Sequence, residues 1–123
     1  MQELSIIQKT HDFIKWYIPI LNRLPRDHKF HLGSKIINRI YEFLEGLIES
    51  KFAKNKLPKL ESLNVSLSVL RHQTLLLHEL DQMSLERLEY ASKAMRDIGN
   101  ELGGWIDQRK RSGDSETIRK SIS

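Results

Sequence analysis

A chain of 123 residues with no cysteine and a formal net charge of +4 has room for one domain with its own core, and no disulfide or thiolate metal site to staple it. No stretch of about eighteen residues is free of charge, which excludes a membrane-spanning helix. The polar opening Met1-Gln2-Glu3-Leu4 lacks the basic region and small-residue cleavage site of a secretory signal, so the expected location is the cytoplasm.

The first predicted helix runs from about Ser5 to Leu24. Ile7, Ile14, Ile18 and Leu21 recur at helical spacing, and Phe13, Tyr17 and Ile20 widen the stripe. Pro19 lies inside it and predicts a kink or an early end, because proline removes one helical hydrogen bond and crowds the preceding turn. Pro25 then breaks the chain. A second helix is expected from near Asp27 or His28 to about Lys54, facing inward with Leu32, Ile36, Ile40, Phe43 and Leu47 and flanked by Ile37, Leu44 and Ile48. Gly33 and Gly46 inside it are expected to admit a close neighbour.

Asn55 to Pro58 reads as a tight connection, with Pro58 in the first turn of a third helix. Leu60, Leu63, Leu67, Leu70, Thr74 and Leu77 repeat at spacings of three and four, and Val69, Leu75, Leu76 and Leu80 extend the apolar surface beyond one stripe. A helix apolar over that much of its circumference is either central or part of a subunit contact. Ser84 is placed to cap a fourth helix, whose stripe is Leu88, Ala91, Met95, Ile98, Leu102 and Trp105. Gly103-Gly104 weakens its end, with one further turn packed through Trp105 and Ile106. From Lys110 onward no apolar pattern remains, so residues 1–109 form the predicted domain and 110–123 a mobile basic tail. No strand pattern competes. Four helices with short connections predict an all-α, antiparallel up-down-up-down four-helix bundle.

No catalytic constellation emerges. His28 and His31 share a helix face but lack a His-Glu-x-x-His context, and Glu42, Glu45 and Glu49 alternate with basic residues as a solvated face does. There is no phosphate-cradling glycine loop and no nucleophile elbow. The expectation is no enzyme, no metal and no cofactor.

The charge is unevenly placed. Residues 26–56 carry seven basic and four acidic groups, residues 109–123 five and two, and residues 57–108 five and eight. Arg26 and Lys29 cluster at the start of the second helix, Lys35 and Arg39 follow four apart, and Lys51, Lys54, Lys56 and Lys59 gather near its far end. With Arg109, Lys110 and Arg111 they make a candidate strip for the phosphates of RNA or DNA, without sequence readout. Arg26 and Arg39 are singled out because a guanidinium grips phosphate in a bidentate way. The broad apolar faces predict self-association.

The run Leu24-Pro25-Arg26-Asp27-His28-Lys29-Phe30-His31-Leu32-Gly33 is followed by Ile36, Arg39, Ile40, Leu44, Leu47, Ile48, Glu49 and Phe52-Ala53-Lys54. Further on come Leu70-Arg71, then Leu88, Tyr90 and Ala91, and finally Ile98-Gly99-Asn100-Glu101-Leu102-Gly103-Gly104-Trp105. Taken together, over residues 10–106, the chain resembles the accessory variability determinant proteins of diversity-generating retroelements. The resemblance implies a four-helix protomer in a homopentameric ring with a basic surface. It further implies binding to the element's reverse transcriptase and to nucleic acid, in support of mutagenic copy-DNA synthesis from a template RNA, with the chemistry left to the polymerase. The modest net charge and the net-acidic third and fourth helices depart from that pattern. The alternative on the same fold is a structural or regulatory protein–protein interaction module without RNA binding, similar to the proteins encoded in intervening sequences of large ribosomal RNA genes.

Overall fold

In each long helix, residues spaced three and four apart turn inward, and their identity sets which face is buried. The computed structural model describes the backbone of residues 2–122 and the side chains of residues 4–113. Helix α1 (Gln2–Asn22) buries Ile6, Thr10, Phe13, Tyr17 and Leu21, with Leu24 following. Its inward face is centred one residue away from the expected one, since Ile7, Ile14 and Ile18 are half-buried flanks. Thr10 hides this registration from a reading of apolar spacing. Its hydroxyl donates to the Ile6 carbonyl at 2.8 Å, and that bond lets a polar residue occupy a core position. Nor does Pro19 end the helix, which continues to Asn22 and closes with i→i−3 bonds from Arg23 and Leu24.

After Pro25 the chain is helical without a break but not uniformly α. A single turn, α2 (Arg26–His28), leads into a π-helical stretch (Lys29–Gly33) and then α3 (Ser34–Phe52). The Ser34 hydroxyl donates to the Lys29 carbonyl at 2.9 Å, five residues back, satisfying an acceptor in the widened turn. Gly33 sits in this turn because a Cβ there would lie 3.1 Å from the His28 carbonyl oxygen and 3.2 Å from Leu24 Cδ1. Helix α3 buries Ile36, Ile40, Phe43, Gly46, Leu47 and Ser50. Gly46 is the receptor for Leu63, whose Cδ2 would lie 2.5 Å from an added Cβ.

The connection to α4 (Leu57–Glu79) is held by Lys56. Its ammonium donates to the carbonyls of Ser50 (3.0 Å), Lys51 (2.7 Å) and Ala53 (3.0 Å) at the end of α3, where the Ser50 carbonyl also accepts the Ala53 N–H. Pro58 falls in the first turn of α4, and all six residues of the expected stripe, Leu60 to Leu77, are buried. At its far end the Asp81 N–H reaches the His78 carbonyl and the Gln82 N–H the Leu77 carbonyl, a Schellman closure with Asp81 in the left-handed region at φ 62°. His78 Nδ1 donates to the Met83 carbonyl at 2.7 Å and fastens the turn.

Ser84 caps α5 (Leu85–Ile122) by accepting the Arg87 N–H at 3.2 Å. Ala91, Met95, Ile98, Leu102, Trp105 and Ile106 are buried, and the helix passes through Gly103-Gly104. Trp105 and Ile106 bury their side chains just beyond the glycines, and this packing outweighs the weak helix propensity there. Lys110 to Gly113 continue the helix, while the side chains of the remainder of the expected tail, 114–123, lie outside the described residues.

The described residues contain helices and no strand. Helix α1 packs against α3 and α5, α3 also against α4, and α4 also against α5. Ser5 bonds Glu101 (2.6 Å) while Trp16 meets Tyr90 (ring centroids 4.4 Å apart), tying α1 to α5. Arg71 donates to the Met95 carbonyl at 3.2 Å and lies across Gly99, so that a Cβ on Gly99 would collide with its guanidinium. Inside, the Tyr17 and Thr74 hydroxyls share a 2.9 Å hydrogen bond between α1 and α4. Helix α4 is not enclosed, as its composition would allow: Val65, Leu75, Leu76 and Leu80 are exposed, as are Tyr41, Ile48 and Phe52 on α3.

Candidate nucleic-acid interface

The basic residues named from sequence do not form one strip. Lys35 and Lys51 are sixteen residues apart on one helix, which at 1.5 Å per residue separates them by about 24 Å. Glu42 and Glu49 lie at seven-residue steps from Lys35, on the same line of the helix surface, and interrupt the charge. Arg26, Lys29 and Lys35 therefore belong to the end of the molecule where α1 meets the π-helical turn. Lys51, Lys54 and Lys56 belong to the opposite end, at the α3–α4 connection.

That second end gathers more charge than α3 supplies. Lys110 lies 4.0 Å from Glu61, which sits in the first turns of α4, so the run Arg109-Lys110-Arg111 comes to the same end as the α3–α4 connection. Lys51, Lys54, Lys56, Lys59, Arg109, Lys110 and Arg111 stand there against Glu49, Glu61 and Asp107. Lys59, like its neighbours, was named from sequence for this role, and it is half-buried. It pairs with Glu49 across the α3–α4 seam.

The side chains differ in what they are free to do. Lys54 and Lys110 are exposed. Lys56 points its ammonium into the end of α3, with all three donors on backbone carbonyls. Arg39 is half-buried and donates through one terminal nitrogen to Ser66 Oγ at 3.1 Å, while its Nε is buried without a hydrogen-bond partner. Arg26 and Lys35 are exposed at the other end, and Lys29 places its ammonium 5.8 Å from the Phe30 ring centroid. Lys51 does the same to Phe52 at 5.6 Å.

The aromatic residues also divide. Tyr17 is fully buried, and that burial pushes its phenol up to about 12, the Thr74 hydrogen bond pulling the other way. Trp16 is half-buried, stacked on Phe13 and against Tyr90. Phe30 and Phe52 are the most outward, 61% and 77% exposed, with Tyr90 and Tyr41 exposed to a lesser degree. Sequence raised Phe30, with Trp16 and Tyr17, as a base-stacking candidate but not Phe52, because only the position on the helix tells a core phenylalanine from a surface one.

Among the described residues no three histidine, aspartate or glutamate side chains gather as a metal ion would need, and no helix is long and apolar enough to cross a membrane.

The described residues form an all-helical protein with a cationic end and exposed apolar residues on α3 and α4. The model of the bAvd-like family matches residues 4–109, and the chain belongs to that family, the accessory variability determinant proteins of diversity-generating retroelements. No curated protein sequence matches it.

Proposed function

We propose that this protein is a non-catalytic accessory factor of a diversity-generating retroelement. It binds the element's reverse transcriptase and the phosphate backbone of its nucleic acid, and so supports mutagenic copy-DNA synthesis. Membership of the bAvd-like family over residues 4–109 carries this reading. The described structure supports it through the concentration of exposed lysine and arginine at the α3–α4 end, since clustered cations release counterions from a polyanion where scattered ones do not.

The bundle is of up-down-up-down sense. Contacts between Trp16 and Tyr90, Arg39 and Ser66, and Arg71 and Met95 fit neighbours running in opposite directions, as short connections require. It assembles into a homopentameric ring in the cytoplasm, covering apolar surface such as Tyr41 and Ile48 of α3 and Val65 and Leu76 of α4. Cyclic symmetry then puts the basic end of every copy on one rim, and polymerase and RNA meet a multiplied charge.

The test is co-purification with the reverse transcriptase and template RNA from the same element at two salt concentrations. A complex whose RNA is lost steeply as salt rises is the expected result. Capture of the polymerase with no RNA contact removes the nucleic-acid part and leaves an interaction module. Capture of neither at low salt rejects the accessory role.

A further inference from the structure

The exposed phenylalanine at the end of α3 has no structural use within the protomer. Burying a phenylalanine ring stabilises a fold, and Phe52 forgoes most of that gain at 77% exposure. The residue is also not needed to finish the helix, because Lys56 satisfies the terminal carbonyls. The Lys51 ammonium lies 5.6 Å from the ring centroid, on one face of the ring, and Lys54 is exposed two residues further on.

We propose that Phe52, flanked by Lys51 and Lys54, is a stacking platform for an unpaired base, and that it makes this protein prefer single-stranded over double-stranded nucleic acid. The inference rests on the nucleic-acid reading above and adds the ligand's strandedness and the residue that reads it. A flat hydrocarbon ring beside ammonium groups fits a nucleotide of a single strand, whose base has a free face and whose phosphate lies one sugar away. In a duplex every internal base face is taken by its neighbours, and only the phosphates remain for Lys51 and Lys54. Of the exposed tyrosines, Tyr90 packs against Trp16 and Tyr41 stands next to Glu42 rather than a lysine. Tyr17 is enclosed, and Trp16 is covered by Phe13 and Tyr90. Phe30, the nearest equivalent, is about 33 Å away along the helix, at the less basic end.

The experiment measures fluorescence anisotropy of a labelled twelve-nucleotide single-stranded RNA and of the corresponding RNA duplex. It uses the full chain and the variants Phe52→Ala, Phe52→Trp and Lys51→Glu/Lys54→Glu, with sedimentation of each to record its state of association. The expected result is a loss of about tenfold in single-strand affinity for Phe52→Ala, with duplex affinity unchanged, and recovery in Phe52→Trp. Charge reversal is expected to weaken both ligands. Equal single-strand affinity in wild type and Phe52→Ala, with charge reversal still effective, overturns the stacking platform and leaves phosphate binding standing. A change of association state in Phe52→Ala also overturns it, placing the ring between copies. Binding of neither RNA by the wild type at low salt overturns the nucleic-acid reading together with this one.

Discussion

Tyr17 and Thr74 exchange their only side-chain hydrogen bond in the middle of the core, and removing one partner strands the other. Tyr17→Phe is expected to destabilise the fold by about 1 kcal/mol at neutral pH, measured by urea denaturation. The buried phenol also makes stability pH-dependent. Its pKa is raised in the folded state, so the contribution is complete below about pH 10 and is lost as pH rises towards about 12. Over that window wild type should lose roughly 2 to 3 kcal/mol that Tyr17→Phe does not, and the two curves should converge or cross. Lys56 separates stability from binding. Lys56→Met should lower stability by about 1 kcal/mol through the exposed ends of α3 and leave RNA affinity nearly intact. Lys54→Met should do the reverse and reduce the salt slope by about one. Sequence could not rank these neighbouring lysines, because which ammonium turns back onto the backbone depends on the path of the connection.

At the scale of elements, the helices of this protein were largely legible and their irregularities were not. Leu60 to Leu77 on α4 could be read because all but one of the six positions are leucine and the exception, Thr74, falls on the same period. On α1 the buried face lies one residue away from the apolar spacing, since a core threonine looks polar and the flanking isoleucines look central. The π-helical turn at Lys29–Gly33 was illegible, as the close approach of His28 and Leu24 to Gly33 found there is set by the folded path of the chain. The α4–α5 turn carries a correctable strain. Asp81 holds a positive φ that glycine adopts without steric penalty, so Asp81→Gly should raise stability by about 0.5 kcal/mol in thermal or urea unfolding. Gly46→Ala should do the opposite. The helix gains about 1 kcal/mol of propensity, but displacing Leu63 from a packed seam costs about 1 to 3, and net destabilisation is expected.

For the whole molecule, the expectation of a continuous basic strip gave way to two charged ends joined by a helix with acidic steps. A sequence shows which residues share a helix face; it does not show that Arg109 to Arg111, more than fifty residues after Lys56, return to the same end. The two ends predict unequal effects. Reversing Lys51 and Lys54 should weaken RNA binding more than reversing Arg26 and Lys29, measured by anisotropy at fixed salt, because the first pair has the larger cationic neighbourhood. The unenclosed sides of α3 and α4 carry a further expectation. If copies cover them on assembly, the melting temperature should rise with protein concentration, and Val65→Lys or Ile48→Lys should abolish that rise.

The guanidinium laid across Gly99 ties two positions, one on α4 and one on α5, into a single unit of evolutionary change. With Arg71 in place, any side chain at position 99 must first push the arginine from its bond to the Met95 carbonyl. Once position 71 has shortened, the same change meets only Leu67 Cδ2 at 3.4 Å, an ordinary contact, and even favours the helix. The penalty of Gly99→Ala therefore depends on the genetic background in which it arises, and a double-mutant cycle with Arg71→Ala should return a non-additive pair. Drift at this seam has a preferred order, with position 71 changing before position 99.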